Sequence, residues 1–358
     1  MERIVQLRNR FDELDMDGFM INGEWNRRYV SGFTGSNGLI LITKDEAILI
    51  TDYRYFEQAK KQTELDIVLH KEHTGHKHKI YDEATKQIKR LGVERLGFEQ
   101  QHLNFGNYAK LKEQLHMELV PTYDMVEDLR MVKNDDELEN IRISSRITNE
   151  AFLHVLEIIR PGLTEMEVAA ELESFIKQNG GSASTFTPIV ASGKRSSLPH
   201  GRASDKVIEK GDMITIDFGT NYNGYWSDIS RVVAIGDPGQ KMKEIHQVVL
   251  ESFQNCLNHL KAGMTDQEVD KYMREILIAS GYNKYSGTGT GHGIGLEVHE
   301  KPLFSVDLEK TLQPGMVVTI EPGIYLEDIG GARVEDMLHI TENGCEVLSP
   351  STKELIII

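Results

Sequence analysis

Residues 211–231, GDMITIDFGTNYNGYWSDISR, place two acids beside short apolar runs. Asp217 ends the strand-like run 213–216, and Asp228 follows eleven residues later. A carboxylate in a buried strand costs several kcal/mol unless a positive group pairs with it. The stretch therefore predicts a cation beside Asp217.

The second part of the chain contains an internal repeat. The segments that begin at Glu150 and Glu251 share eight identical residues at an offset of 101, and each has a Thr-x-x-Glu motif, at 164–167 and 265–268. This motif is a capping box that opens a helix, so each copy predicts a helix, a glycine stop and a second helix. Because capping boxes are common, two unrelated helical hairpins are the alternative.

The repeat continues into two aligned strand patterns, each followed by a further acid. KGDMITIDFG at 210–219 aligns with PGMVVTIEPG at 314–323. The duplicated acids are Asp217, Asp228, Glu321 and Glu335. Four neighbouring carboxylates repel one another, and divalent cations remove that repulsion. Carboxylates with an imidazole suit Mn, Co, Zn or Fe, and bridging carboxylates hold two ions about 3.5–4 Å apart.

Three histidines accompany these acids. His200 in LPHGR and His299 in EVHEK fall at near-equivalent positions of the two copies, and His292 lies in GTGTGHGIGLEVHE, 287–300. Glycine occupies alternate positions there, so the side chains between the glycines share one face of a strand and another backbone can approach closely. The spacing is not that of a G-x-G-x-x-G dinucleotide loop, which leaves an NAD site as a weak alternative.

The first 120 or so residues alternate helix and strand patterns, as in an α/β domain. The segment 3–14 predicts a helix with Ile4, Leu7, Phe11 and Leu14 on one face. Further helices are predicted near 53–63, 79–92 and 106–116, and strands at DGFMIN, GLILIT, EAILITD, DIVLH and RLGFEQ.

A domain boundary is predicted near residue 125. A proline and a charge-dense segment occupy 121–135, and a long helix pattern follows with Asp135 or Asp136 as its cap. The expected domains are therefore 1–125 and 126–358.

Composition restricts the class of protein. The 358 residues are 39% hydrophobic and 27% charged, with a formal net charge of −16. This charge argues against non-specific binding to nucleic acid or anionic membranes, and no apolar run approaches the roughly 18 residues of a membrane span. The charged start lacks a signal-peptide pattern. Cys256 and Cys345 lack metal-site spacing, and the one disulfide they could form would be a poor framework for so large a chain, so we expect a cytoplasmic protein.

The combination IDFG…SDISR…GTGHGIGLEVHE…IEPGIY…ARVEDM, with IVASGKRSSLPHG upstream, resembles the pita-bread metallopeptidases of family M24. More narrowly, it is similar to the Xaa-Pro dipeptidase (prolidase) and aminopeptidase P group. YVSGFTGSNGLILIT…TDYRY resembles the creatinase-type N-terminal domain of that group. The resemblance implies an α+β protein, with an N-terminal α/β creatinase-type domain and a C-terminal pita-bread domain that has pseudo-twofold symmetry.

The resemblance also implies a ligand set for two divalent ions per chain. Asp217 would chelate one ion, Asp228 and Glu335 would bridge both, and His292 and Glu321 would complete the second site. Mn²⁺ is the first choice, with Co²⁺, Zn²⁺ and Fe²⁺ as alternatives. The ions would activate a hydroxide that attacks the scissile carbonyl.

The remaining roles implied by the resemblance are those of catalytic side chains. Glu321 would accept or shuttle a proton, and His200 and His299 would stabilise the oxyanion. Arg333 would hold the acid cluster in position without itself being a metal ligand. Asp336 would point away from the cluster and serve as a structural residue. The alternatives to these roles are that His200 and His299 are structural residues and that Arg333 forms a surface ion pair.

The predicted function is hydrolysis of the bond before proline in a dipeptide or short peptide, by a protein whose relatives are often dimers. An Xaa-Pro aminopeptidase that acts on longer peptides is the first alternative. A metal-free creatinase-type hydrolase and a non-catalytic binding protein of the same fold are less favoured, because the ligand set is complete. The tract HKEHTGHKH, which contains His70, His73, His76 and His78, reads as a solvated loop with a metal site as the weaker interpretation.

Overall fold

The computed structural model describes residues 2–70, 79–182, 187–287, 289–304 and 311–358. It divides into two compact units, Met1–Arg130 and Met131–Ile358. Among the described residues, none of the helices combines the length and the apolar character that crossing a bilayer requires.

The first unit is a six-stranded sheet with helices. Its helices are α1 Glu2–Arg8, α2 Glu24–Ser31, α3 Phe56–Gln62, α4 Lys79–Arg90, α5 Phe105–Leu115 and α6 Glu127–Arg130. Its strands are β1 Gly18–Ile21, β2 Gly38–Thr43, β3 Ala47–Thr51, β4 Asp66–Leu69, β5 Arg95–Glu99 and β6 Glu118–Thr122. The strand order is β4-β3-β2-β1-β5-β6, with β2 antiparallel to both β1 and β3 and the other pairs parallel.

The core of this unit explains its sequence pattern. Every residue of β2 is buried, which is why GLILIT reads as a continuous apolar run rather than an alternating one. Ile80, Ala84 and Ile88 form a stripe at helical spacing on α4 and belong to the same core as Leu39 and Leu41. The predicted strands are confirmed here, and so are the predicted helices except for the extent of the first, whereas α2 and β6 were not predicted.

The first helix is shorter than the sequence predicts. It ends at Arg8, and the following residues form turns up to Asp15, whose φ is 49°. Ile4, Leu7 and Phe11 are nevertheless buried, since the turns keep the apolar side chains on the inner side of the chain.

The second unit contains four helices and thirteen strands among its described residues. The helices are α7 Asp135–Ile158, α8 Glu165–Gln178, α9 Gln240–His259 and α10 Asp266–Ala279. The strands are β7 Ile189–Ser192, β8 Met213–Phe218, β9 Asn221–Tyr222, β10 Tyr225–Trp226, β11 Ile229–Ala234, β12 Gly291–Gly293, β13 Glu300–Phe304, β14 Val317–Ile320, β15 Gly323–Leu326, β16 Gly330–Arg333, β17 Asp336–Thr341, β18 Gly344–Val347 and β19 Ile356–Ile357.

The predicted repeat is present as two helix pairs and two sheets. One sheet has the order β19-β11-β8-β7 and the other β13-β12-β14-β17-β18, while β9 with β10 and β15 with β16 form separate hairpins. The pairs α7 with α8 and β8 with β11 in the first copy correspond to α9 with α10 and β14 with β17 in the second. Each copy has its own core, and Phe152 in the first and Phe253 in the second are both buried. Burying each ring contributes about 1.5–3 kcal/mol.

The helix starts follow the capping logic of the sequence. Thr164 and Thr265 each accept a hydrogen bond from the backbone N–H of the glutamate three residues on, which completes both predicted capping boxes. The predicted cap of α7 was wrong, because Asn134 is the N-cap residue and forms a capping box with Glu137. The acids after Asn134 lie in the first turn, where negative charge stabilises the helix dipole.

Candidate metal centre

Strand ends bring the four predicted acids together. Asp217 lies on β8, one residue before its end, and Asp228 lies immediately before β11, which pairs with β8. In the second copy Glu321 follows β14 and Glu335 precedes β17, which pairs with β14. The duplication therefore places two acids of each copy at the same end of its strand pair.

Backbone pairing joins the two copies directly at these acids. Asp217 is the register partner of Ser230, and Ser230 forms an antiparallel bridge with Glu335, whose N–H donates to the Ser230 carbonyl at 3.2 Å. Residues directly opposite one another project to the same face of a sheet. The side chains of Asp217 and Glu335 thus face one common site.

The predicted histidine lies at the centre of the acids. His292 Nε2 is 3.7 Å from Glu321 Oε1 and 4.0 Å from both Asp228 Oδ2 and Glu335 Oε1. Ligand atoms of His292, Asp228 and Glu335 all lie within 4.8 Å of one another. These separations are too long for hydrogen bonds, yet an ion about 2.0–2.2 Å from each atom could lie between them.

Unpartnered oxygens test whether a metal fits this site. Asp217 Oδ1, Asp228 Oδ1 and Glu335 Oε1 are buried and have no hydrogen-bond partner among the described residues. Buried polar atoms are otherwise almost always satisfied. Buried carboxylates that each keep one such oxygen, together with the imidazole of His292 beside Asp228 and Glu335, are the donor set of a divalent cation, so the residues present fit the predicted ions.

The orientation of His292 supports the same conclusion. Its Nδ1 lies 3.0 Å from the Gly293 carbonyl, which can only accept, so Nδ1 carries the proton. Nε2 consequently presents its lone pair to the carboxylates, as a metal ligand must.

Glycines around His292 let the neighbouring strands approach. A Cβ on Gly291 would lie 2.0 Å from the Thr319 carbonyl oxygen, and one on Gly293 would lie 2.1 Å from that of Lys301. The predicted close approach of backbone is therefore confirmed. The regular strand covers only Gly291–Gly293, because the pairing with β13 shifts register after His292. Thr288, which belongs to the predicted alternating set, lies outside the described residues.

Arg333 is the charged neighbour of the acids that the sequence proposed. Its guanidinium donates to Asp217 Oδ2 and to Ser230 Oγ, and Ser230 in turn donates to Glu335 Oε2 at 2.8 Å. Two further bonds reach the Tyr325 hydroxyl at 2.5 Å and the Pro199 carbonyl at 3.0 Å. Arg333 thus fixes one oxygen of Asp217 and leaves the other free.

The acids are electrostatically strained in the absence of ions. Burial, and then the neighbouring carboxylates, raise the pKa values of Asp228 and Glu335 well above their ordinary values. Burial also raises the pKa of Glu321, although Arg333 opposes this. Burial lowers the pKa of His292, which favours the neutral ring that binds metal.

The two other predicted histidines line the same cavity. His200 and His299 lie with the five candidate ligands around a cavity of about 640 Å³. The His299 ring stands 4.3 Å from that of His292, centroid to centroid, and burial together with His292 lowers the pKa of His299. Both side chains are exposed to this cavity and are available to hydrogen-bond a bound molecule.

A buried glutamate that the sequence analysis did not single out closes the loop that carries His200. Glu165 on α8 accepts hydrogen bonds from the backbone and hydroxyl of Ser192 and of Ser204, and it pairs with Arg195. These residues lie on either side of His200 in the chain. The side chain of Glu165 therefore ties both ends of the 192–204 loop together.

Asp336 has the structural role that was predicted for it. It is fully buried and pairs with Arg231 and Lys353, both at 2.7 Å. Arg231 also donates to the Glu335 carbonyl at 2.6 Å. The pair supports the backbone of Glu335 from the side opposite the cavity, because successive residues of a strand point to opposite faces.

Other groups of histidines and acids have different environments. In the histidine tract, His70 lies 3.2 Å from the Asn37 amide, whereas residues 71–78, with His73, His76 and His78, lie outside the described residues. In the first unit, Glu99, His102 and Glu127 have the spacing of metal ligands. Hydrogen bonds satisfy both acids, including 2.8 Å from His102 to Glu127, so this group reads as a structural network.

Two residues of the site were missed by sequence reasoning, Ser230 and Tyr325. Ser230 is two residues after Asp228 in SDISR, and Tyr325 is two residues after Gly323 in EPGIY. Strand alternation, which puts residues i and i+2 on one face, was the available signal.

Comparison with known proteins assigns both parts of the chain to the families that the sequence resembles. Residues 139–342 match the family model described as Metallopeptidase family M24, and residues 3–132 match Creatinase/Prolidase N-terminal domain. The chain is 40% identical over 357 residues to an Xaa-Pro dipeptidase of Pyrococcus furiosus, with 99% of each chain covered.

Solved structures similar to this one carry both of the predicted activities in their names. The Xaa-Pro dipeptidase from Bacillus anthracis is 48% identical with a TM-score of 0.96, covering 100% of this chain and 99% of that one. The X-Pro aminopeptidase from Thermotoga maritima MSB8 is 38% identical with a TM-score of 0.88, covering 98% of this chain and 100% of that one.

Proposed function

Since the chain belongs to metallopeptidase family M24, whose members are dinuclear metal enzymes, we propose that it is an Xaa-Pro dipeptidase. It hydrolyses the peptide bond before proline in dipeptides. The observation that carries the proposal is the convergence of carboxylates on His292 Nε2, which lies 4.0 Å from Glu335 Oε1, a buried oxygen with no partner among the described residues. That donor set suits two divalent cations.

We propose that the metal ligands are Asp217, Asp228, His292, Glu321 and Glu335. The bound ions would polarise the scissile carbonyl and lower the pKa of a water molecule. Mn²⁺ is the proposed ion, with Co²⁺, Zn²⁺ and Fe²⁺ as alternatives, because oxygen ligands with one imidazole suit all four.

The chain's own side chains supply the proton transfer and the orientation of the substrate. Hydrolysis adds the oxygen of water to the carbonyl carbon, breaks the C–N bond and delivers a proton to the proline nitrogen. Glu321, whose side chain is 30% exposed to the cavity, accepts the proton of the attacking water and passes it to that nitrogen. His200 and His299 donate hydrogen bonds to the carbonyl oxygen as it becomes negative.

Arg333 supports the acid cluster through hydrogen bonds. Its bonds to Asp217, Ser230 and Tyr325 hold one side of the acid cluster at a fixed distance from the cavity. In this role it is a positioning residue, since four hydrogen bonds to protein partners already engage its guanidinium.

Dipeptidase activity is proposed over aminopeptidase activity. The similar P. furiosus protein and the similar B. anthracis structure are both called Xaa-Pro dipeptidases, at 40% and 48% identity. The similar T. maritima structure, at 38% identity, is called an X-Pro aminopeptidase, so an Xaa-Pro aminopeptidase is the alternative.

Domain roles, assembly and location are further parts of the proposal. All five proposed ligands belong to the predicted catalytic domain, 126–358, and residues 1–125 form the creatinase-like domain. We expect a homodimer on the basis of the family resemblance, and a cytoplasmic location because two cysteines make a poor disulfide framework for a chain of this size. Sedimentation of the purified protein tests the dimer.

Metal analysis combined with one conservative substitution tests the function. Purified protein should hold about two divalent ions per chain, and it should cleave Ala-Pro faster than Ala-Pro-Gly. The variant Glu321→Gln should lose more than about 100-fold in kcat while its thermal unfolding midpoint stays within a few degrees. Full activity in this variant, or equal cleavage of the tripeptide, contradicts the proposed base or the dipeptide preference respectively.

A further inference from the structure

A row of paired residues leads from the acids to an arginine at the edge of the cavity. Ser230 pairs with Asp217, Asp217 pairs with Ile189, and Ile189 forms an antiparallel bridge with Arg202. Partners in such a row project to one face of the sheet. Neighbouring strands are about 4.8 Å apart, so the Arg202 backbone lies roughly two spacings from that of Asp217, with apolar Ile189 between them.

These three residues all line the cavity, and they differ in chemistry along its wall. Asp217 belongs to the proposed metal site, Ile189 is apolar and buried, and Arg202 is exposed. The wall thus changes from anionic to apolar to cationic over a short distance.

The guanidinium of Arg202 differs from those of Arg333 and Arg195 in having no partner in the described part of the chain. It forms no hydrogen bond or ion pair with any described residue, whereas Arg333 and Arg195 are both paired with carboxylates. The backbone of Arg202 is nevertheless fixed. Its carbonyl accepts from Arg195 at 3.0 Å, its N–H donates to the His200 carbonyl at 2.8 Å, and Glu165 holds Arg195.

A free cation on a fixed backbone is notable in this chain because the formal net charge is −16. A negative field disfavours an anionic ligand unless a local positive group offsets it. An unpaired arginine can bind a carboxylate through two parallel hydrogen bonds.

We propose that Arg202 binds the C-terminal carboxylate of the Xaa-Pro dipeptide while Ile189 contacts the pyrrolidine ring. The assignment rests on the proposed function. In a dipeptide the carboxylate follows the proline Cα directly, and one residue spans about 3.8 Å, so the carboxylate lies beyond the ring on the side away from the reacting carbonyl. Acid, apolar and basic parts of the wall then meet carbonyl, ring and carboxylate in that order.

This arrangement selects dipeptides. A longer peptide has a neutral amide where the dipeptide has its carboxylate, so it loses the charged hydrogen bonds to Arg202. The specificity for short substrates thus depends on one side chain.

The cavity has a second exposed cation, Lys284, which is the rival for this role. Its ammonium lies 4.8 Å from the centroid of the Tyr285 ring, so it already has a favourable contact. Its compact charge also lacks the planar pair of donors that matches a carboxylate.

Binding of the product separates this proposal from the hydrolysis itself. Calorimetry with Mn²⁺-loaded protein measures the affinities of proline and of prolinamide, which differ only in the carboxylate. We expect Arg202→Met to weaken proline binding by about 10- to 100-fold and to leave prolinamide binding unchanged. In steady-state assays the same variant should raise KM for Ala-Pro, and kcat should change little.

The control is Lys194→Met, which removes one positive charge from the same loop at an exposed position that does not line the cavity. It should bind proline as the wild type does. The proposal is overturned if Arg202→Met binds proline normally, if Lys284→Met causes the loss instead, or if the wild type does not prefer proline to prolinamide. A wild type that binds proline through Arg202 but cleaves no Xaa-Pro substrate supports the carboxylate site and refutes the proposed function.

Discussion

Arg333 and Asp217 form a buried ion pair that joins the two copies of the internal repeat. Arg333 ends β16 in the second copy, and Asp217 lies on β8 in the first. The pair occupies Oδ2 of Asp217 and leaves Oδ1 without a partner among the described residues. One oxygen of this carboxylate is thus structural, and the other is available to a metal.

Chelation should destabilise the purified protein. Ions bound at about 100 times their dissociation constant add roughly 2.7 kcal/mol per site, which corresponds to several degrees in the unfolding midpoint. Thermal unfolding before and after dialysis against a chelator, with Mn²⁺ then returned, measures the change. His292→Ala should show no response to Mn²⁺. An unchanged midpoint in protein that metal analysis shows to be emptied would mean that the ions do not bind at these acids.

Asp228→Asn should stabilise the metal-free protein and abolish its response to metal. Burial, and then the neighbouring carboxylates, raise the pKa of Asp228 well above its ordinary value, so a neutral amide removes the cost of burying this acid in the metal-free protein. The unfolding midpoint of the metal-free variant should therefore rise by a few degrees, as measured in chelator.

The matched control for that substitution is Asp336→Asn. Asp336 is equally buried but pairs with Arg231 and Lys353, so its loss leaves cations unpaired and should cost about 3–5 kcal/mol. Two buried aspartates are thus expected to give opposite signs. The same sign for both would show that repulsion among the acids is not what limits the stability of the metal-free protein.

Glu165→Gln should slow catalysis through His200 without changing metal content. The amide cannot accept all the bonds that the serines and Arg195 now donate, so the loop that carries His200 loosens. We expect a fall of about tenfold in kcat, or roughly 1.4 kcal/mol.

A double-mutant cycle distinguishes this positioning role from general destabilisation. In a His200→Ala background, Glu165→Gln should cost less than about twofold, because the two substitutions then affect one interaction. Glu167→Gln, a change in the exposed capping box of the same helix, is the control and should leave kcat unaltered. Additive losses in the cycle would rule out coupling between Glu165 and His200.

The contribution of Glu127 to stability should disappear in acid. Burial alone would raise its pKa, but hydrogen bonds from His102 and Asn26 outweigh that effect and lower the pKa from 4.5 to about 2. A lowered carboxyl pKa gives stability that is present above pH 4.5 and is lost as pH falls towards 2. The free energy of unfolding of the wild type should thus exceed that of Glu127→Gln by about 3 kcal/mol at pH 7. Below pH 4.5 this difference should shrink steadily as the pH falls.

Urea unfolding can follow this unit by itself. Of the two tryptophans, Trp25 lies in α2 of the first unit, so a Trp226→Phe background reports that unit alone. Glu46→Gln is the control, because Glu46 forms an exposed pair with Arg90 that is worth little at any pH. If the difference in unfolding free energy between the wild type and Glu127→Gln stays constant from pH 7 to pH 3, the pKa of Glu127 is not lowered.

Local patterns in the sequence predicted the elements that carry the site. Capping boxes at Thr164 and Thr265 mark helix starts, because a helix terminus must satisfy its own N–H groups with nearby side chains. The strand and turn residues around Asp217 and Glu321 follow from the same short-range rules. The cap of α7 was misplaced by one or two residues, since Asn134, Asp135 and Asp136 are nearly equivalent as caps and only the backbone conformation distinguishes them.

Long-range contacts were not predictable in the same way. Glu165 and Arg202 carry no motif, and their roles depend on loops that return from distant positions to Ser204 and Ile189. Periodicity indicates which face a residue occupies but not which residue of another strand it will meet.

The sequence by itself determined the duplicated acid-bearing strands, the family resemblance and the types of side chain available to a metal, because these depend on residue identity and local spacing. Only the tertiary structure decided which of the carboxylate oxygens, and which arginine at the cavity, lack a partner among the described residues. For the oxygens this depends on the pairing of Ser230 with both Asp217 and Glu335, a juxtaposition that the packing of one copy against the other creates.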